Sequence, residues 1–221
     1  MKNLIGMVLL TAALAAVNAQ TARAAVTTDS GGFGFPLSPG SQVVTLNKFN
    51  PALGTLTGVG LSINGTIQAN ITAENDSAIG GNMGVNLTGL LNAAAPGVNP
   101  VTGILQSAGP VTVSPSDGVP DSGPDFYNFG LLSGTNTSSA IAGSLAPYIG
   151  PGTFNATVNG SGGFSVNGVT SSTIKVSNFE AFGNVTVIYT YVAIPEPGSL
   201  AFISVGLVGV IGARKRRRSN G

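Results

Sequence analysis

The chain contains no cysteine, no histidine and no tryptophan, and only 8% of its 221 residues are charged. Each absence removes a class of chemistry. Without cysteine no disulfide can staple the fold, which must be held by packing and sheet hydrogen bonds. Without histidine or cysteine neither a Ser-His nor a Cys-His nucleophile can be built, and the commonest zinc ligands are missing. A carboxylate pair, a Ser-Lys arrangement or a tyrosine would remain for catalysis. Nothing in their placement favours any of them, so the chain reads as no enzyme, with no cofactor. The lack of tryptophan also removes the best sugar-stacking side chain.

Positive charge is scarce where it would matter for nucleic acid. Lys2, Arg23 and the run Arg214, Lys215, Arg216, Arg217 and Arg218 lie at the two ends. Between them stand only Lys48 and Lys175, against Asp29, Glu74, Asp76, Asp117, Asp121, Asp125, Glu180 and Glu196. The body is mildly acidic, and phosphate binding needs clustered cations, so no nucleic-acid partner is expected.

The C-terminal end is the most specific part of the sequence. Ile194, Pro195, Glu196, Pro197 and Gly198 precede an apolar run over 200–213, which the basic tail 214–218 stops. The run has 14 residues, short of the roughly 20 that a relaxed transmembrane helix needs. Five adjacent cations hold their end on the cytoplasmic side, which puts the body across the membrane. Pro195 and Pro197 cannot carry a helix back toward the body and leave an extended, protease-accessible hinge. This segment resembles the PEP-CTERM tag of Gram-negative bacteria, with Ile194 where valine is commoner and Phe202 as the one bulky aromatic of the run. The resemblance implies processing by a membrane-embedded exosortase, with Pro195, Glu196, Pro197, Gly198 and the five basic residues as the sorting elements. An ordinary C-terminal tail anchor is the plainer alternative. Gly206, Gly209 and Gly212 would let the short helix pack closely against a membrane partner.

The N-terminal end agrees. Met1-Lys2, an apolar stretch from Leu4 to Val17 and the small-x-small site Ala22-Arg23-Ala24 read as a secretory signal peptide over 1–24, cut by signal peptidase. Cleavage after Ala24 is preferred; cleavage after Ala19 is the alternative.

Residues 25–193 then form one secreted domain, and 194–218 the tag. Short alternating runs punctuated by Asn-Gly and Gly-Gly make the body all-β. The clearest run is Val59, Leu61, Ile63, Ile67, Ala69, Ile71 and Ala73, all at odd positions, with Gly65 in the gap. A two-residue hairpin at Asn64-Gly65 would mix apolar and polar side chains on each face. One long strand bent at Gly65, or a three-residue loop with a bulge, keeps the apolar set together. Further strands are expected at 42–46, 83–90, 152–158, 163–166, 173–177 and 184–192, the last apolar enough to be a central strand. Gly31-Gly32-Phe33-Gly34-Phe35 reads as a flexible lead-in. Some seven to nine short strands predict an antiparallel β-sandwich, with a jelly roll as the alternative, flanked by a signal helix and a short C-terminal transmembrane helix.

A second resemblance is carried by three segments. Residues 49–59 (FNPALGTLTGV), 145–154 (LAPYIGPGTF) and 185–191 (VTVIYTY) are similar to the signature of choice-of-anchor E domains, which would span about 41–192. Asn50 stands where aspartate is usual, and Tyr148 where phenylalanine is. The resemblance implies a secreted β-rich domain fitted to its host's anchor, with no catalytic residues to carry over.

Two smaller features complete the reading. Asp117, Asp121 and Asp125 sit in a Gly/Pro-rich loop, a composition that calcium favours, but at a spacing too sparse for a full coordination shell; a solvated acidic loop is the plainer reading. Asn-x-Ser/Thr begins at Asn64, Asn70, Asn75, Asn86, Asn136, Asn155, Asn159 and Asn184, which reads as turn and strand-edge composition in a Gram-negative cell.

Two functions fit. One is an exported, non-catalytic protein of the cell surface or extracellular matrix, transiently anchored in the membrane, cut by an exosortase and then joined to an exopolysaccharide biofilm. The other is a carbohydrate-binding module held by a C-terminal anchor, with Phe126, Tyr127, Phe129, Tyr148, Tyr189 and Tyr191 as stacking candidates, though most of these positions read as core.

Overall fold

In a computed structural model of the protein, the described residues are 24–194. The expected signal helix and the transmembrane helix lie outside them, as do Ala22 and every residue from Pro195 to Arg218. Among the described residues no helix is long and apolar enough to cross a membrane.

Eight strands form: β1 (Ala24–Pro36), β2 (Gly40–Asn47), β3 (Gly54–Asn75), β4 (Gly81–Ala94), β5 (Val101–Val113), β6 (Phe126–Ile141), β7 (Thr153–Asn167) and β8 (Ser172–Ala193). Short 3-10 turns stand at Pro51–Leu53 and Ala146–Tyr148. The residues fall into two units. The larger is Val26–Pro51 with Leu56–Thr190, and the smaller takes in residues 24–25, 52–55 and 191–194. Within the smaller, the Ile194 N–H donates to the Leu53 carbonyl at 3.2 Å.

The strands make two sheets, in the orders β1-β8-β3-β6 and β2-β7-β4-β5. The neighbours β1/β8, β2/β7, β3/β6 and β4/β5 have strand numbers that sum to nine. Winding one long hairpin into two sheets produces this order, and it is the strand order of a jelly roll. The pairs β2/β7, β3/β6, β4/β5 and β4/β7 are antiparallel. The chain is all-β, as its alternation predicts, and the jelly roll is the arrangement its strand order selects.

β3 shows the alternation at work. Val59, Leu61, Ile63, Ile67, Ala69, Ile71 and Ala73 are all buried on one face. The strand runs straight through Asn64-Gly65, which pair with Thr137 and Asn136 of β6 without a change of register. The bulge falls later, between Ile71 and Thr72, opposite Gly130 and Asn128. Gly65 is a hollow in the apolar stripe, filled from across the sandwich by Leu91 of β4. The converse holds at Gly89 of β4, over which Ile67 of β3 lies. Each buried aliphatic side chain of this interlock is worth about 1.5–3 kcal/mol of transfer free energy.

Several expected boundaries change. Strands run from 8 to 22 residues, because glycine pairs expected as turns sit inside them. Gly162-Gly163, for example, pairs with Gly89 and Thr88 in mid-strand, and the bare Gly162 lets Leu37 and Phe179 close in. The expected lead-in at 31–35 is part of β1, with Phe33 and Phe35 buried. The Phe33 ring tip lies 3.0 Å from where a Cβ on Gly183 of β8 would stand and 3.6 Å from the same point on Gly65. β8 is flanked by β1 and β3 and buries Val185, Val187 and Tyr189, while Ile188 on its other face is exposed.

Candidate functional site

β8 ends at Ala193, and Ile194 alone separates that strand from Pro195. Proline has no N–H to add to a ladder. At the other end Ala24, one of the two expected signal-cleavage residues, opens β1. Cleavage after it would leave that strand starting at residue 25.

The aromatic candidates for a sugar platform divide. Tyr148 and Tyr189 are core residues. The Tyr148 hydroxyl donates to the Pro96 carbonyl at 2.8 Å, and its ring packs edge-on against Phe154. The Tyr189 hydroxyl donates to the Asn47 carbonyl at 2.7 Å, and its ring lies 5.8 Å from that of Phe49. Burial pushes both phenols above their ordinary pKa, and for Tyr189 the charges of Asp29 and Tyr148 push the same way. Phe126 and Tyr191 are half-buried. Tyr127 is exposed and stacks edge-on with Phe129, the extra residue of the β6 bulge, at 4.9 Å between centroids.

Residues from each segment of the second sequence signature meet in the larger unit, through Phe49, Tyr148, Ile149 and Tyr189. Phe49 bridges Ile149, its N–H donates to the Tyr148 carbonyl at 2.8 Å, and its ring faces Tyr189. Phe49, Tyr148 and Tyr189 are buried and pack the core.

The acidic loop, residues 114–125, connects β5 to β6. The three aspartates do not converge: among the described residues no group of three acidic side chains is placed to hold a metal. Asp121 turns away to an ion pair with Lys175, and its N–H donates to Glu74 Oε2 at 3.0 Å. That ion pair is exposed and contributes about 0–1 kcal/mol. Asp117 and Asp125 stay together, the Asp117 N–H donating to Asp125 Oδ2 at 2.9 Å.

Seven of the Asn-x-Ser/Thr sites lie inside β3, β4, β6, β7 and β8, and the eighth, Asn75, ends β3 with Ser77 in the bend that follows. In a strand the asparagine and the hydroxyl residue two places on share a face, and at Asn64 and Asn86 both bond across to a neighbouring strand. Asn64 Nδ2 donates to Thr137 Oγ1, and Thr66 and Thr135 share a hydrogen bond, both at 2.7 Å. Ser107 Oγ donates to Asn86 Oδ1 at 2.7 Å. Spacing by two was the signal for these polar ladders.

Residues 193–218 match the PEP-CTERM protein-sorting motif. No curated protein matches the chain. Among solved structures, those of the infectious bursal disease virus Gt and Gx strains are similar at 10% and 12% identity, with TM-scores of 0.14 and 0.11. The alignments cover 85% and 84% of this chain, which spans about half the length of those chains (50% and 47%). Such scores bear on neither fold nor function. The motif makes this an exported protein sorted through an exosortase, with a membrane-associated stage before processing.

Proposed function

From the sorting motif directly behind the last strand, we propose that the chain is a non-catalytic matrix protein of the Gram-negative cell surface. Its jelly-roll domain is exported, held at the membrane by residues 200–213, released by cleavage at Pro195-Glu196-Pro197, and joined to an exopolysaccharide biofilm. The motif match at 193–218 carries the sorting half of this reading. Two features support the matrix half. The sequence has no histidine or cysteine for the common nucleophile systems. The outward strand faces carry uncharged Asn, Ser and Thr ladders, and these amide and hydroxyl groups match the hydrogen-bonding groups of a hydrated polysaccharide.

The choice-of-anchor E resemblance fits the same reading, since it implies a β-rich body paired with an interchangeable anchor. Cosedimentation of the released domain with the host's own exopolysaccharide tests it. Retention that rises with polysaccharide and does not saturate at one site per chain supports a matrix component. Saturable binding abolished by Tyr127→Ala points instead to a carbohydrate-binding module on the exposed Tyr127 and its half-buried partner Phe129. No retention at any polysaccharide load contradicts both.

A further inference from the structure

The loop 114–125 is pinned rather than loose. The Ser114 N–H donates to the Pro124 carbonyl, the Ser116 N–H to the Ser77 carbonyl and the Asn75 N–H to the Asp125 carbonyl, at 3.1, 2.9 and 3.0 Å. This frame places Asp125 wholly inside, at 0% exposure. Its two oxygens have different fates: Oδ2 accepts the Asp117 N–H, whereas Oδ1 is buried with no hydrogen-bond partner among the described residues. A buried anionic oxygen without a partner is costly to maintain.

Oδ1 faces a defined point. Gly123 has φ +86°, and the position its Cβ would take is 2.9 Å from Asp125 Oδ1 and closer still to Asp117 Oδ2. The other Asp117 oxygen, Oδ1, accepts the Val119 N–H at 2.8 Å. One oxygen of each carboxylate thus turns to the same space beside Gly123, where a side chain would crowd both. The cation at this loop, Lys175, is paired with Asp121.

We propose that this space is a calcium site, with Asp117 Oδ2 and Asp125 Oδ1 as its charged ligands and Asp121 outside it. A divalent ion there turns the repulsion of two facing carboxylates into attraction and satisfies the orphaned oxygen. Calcium accepts six to eight oxygens in flexible geometry and takes water for the rest, whereas magnesium demands a near-ideal octahedron. A site with two charged ligands belongs with the weak extracellular modules, at a dissociation constant of about 10⁻⁴–10⁻³ M. The site is independent of the sorting motif.

The test is calcium chloride titrated by calorimetry into the full chain in detergent, with thermal melting alongside. The unaltered chain should bind with a dissociation constant of about 10⁻⁴–10⁻³ M and melt higher with calcium than without. Asp117→Asn, at an exposed residue, should weaken binding by about tenfold or more, at the 1.4 kcal/mol per decade of ligand affinity. Gly123→Ala should lose binding, since its methyl enters the space, while Asp121→Asn should bind as the unaltered chain does. If Asp125→Asn does not fold, Asp117→Asn decides the matter. A melting temperature indifferent to millimolar calcium overturns the proposal. So does Asp121→Asn weakening binding as much as Asp117→Asn, or magnesium binding as tightly as calcium.

Discussion

Leu91 lies over Gly65: the leucine methyl of β4 fills the place that a side chain on β3 would take, joining the two sheets at the middle of the apolar stripe. The two positions are therefore coupled. Gly65→Ala should overpack the site and cost about 1–3 kcal/mol. Leu91→Ala should leave a cavity and cost about 2–5 kcal/mol. The double variant should lose less than the sum by about 0.5–3 kcal/mol, because the new methyl partly occupies the space that the leucine vacates. Urea denaturation of all four proteins measures this, and strict additivity would contradict the interlock.

Phe33 separates an integral first strand from a lead-in. Its ring tip covers Gly183 and reaches Gly65, so Phe33→Ala should cost about 3–5 kcal/mol in the same denaturation experiment. A free lead-in would change stability by no more than about 0.5 kcal/mol.

Alkaline pH should unfold the domain through its buried phenols. Burial first, then Asp29 and Tyr148, raise the Tyr189 pKa in the folded state, and burial raises that of Tyr148. Their stabilising contribution is complete below the unfolded-state value of about 10. It declines as pH rises above that, because the unfolded chain gives up protons that the folded one keeps. Midpoints of urea unfolding should therefore fall above about pH 10. Tyr189→Phe should flatten the fall and, with the Asn47 carbonyl left without its hydroxyl donor, cost about 1 kcal/mol at neutral pH. An unchanged alkaline slope in that variant would contradict the assignment.

What the sequence made legible follows from where apolar alternation is strong. β3 and the end of β8 lie inside their sheet and bury one complete face, so Val59 to Ala73 and Val185 to Tyr189 announce themselves. β5 and β6 are edge strands; β6 is built largely from Gly, Ser, Thr and Asn and buries only Leu132 among its apolar residues, and β5 buries only Ile104 and Val113 among its own. With so little to bury, they carry no period-two apolar signal. The Gly-Gly pair misled for a related reason. Gly162, in a Gly-Gly pair, read as local punctuation but is a hollow for Leu37 and Phe179, side chains distant in the chain. In the acidic loop, composition pointed to three aspartates, and tertiary contacts sent Asp121 to Lys175 and kept Asp117 with Asp125.

Processing should depend on the motif and not on the domain. Replacing Pro195, Glu196 and Pro197 together by alanine should leave the chain at its uncut mass in the membrane fraction of an exosortase-bearing host, as read by immunoblot. The jelly roll should keep its urea midpoint. Normal release of the triple variant would remove the role assigned to these residues.

The most direct measurement is the C-terminal residue of the mature protein, by mass spectrometry of material from a host that carries the exosortase. The account predicts a chain ending at or beside Pro195-Glu196-Pro197, without the apolar run and the basic tail. Mature material that still carries residues 198–221 would contradict it and leave a plain membrane anchor in its place.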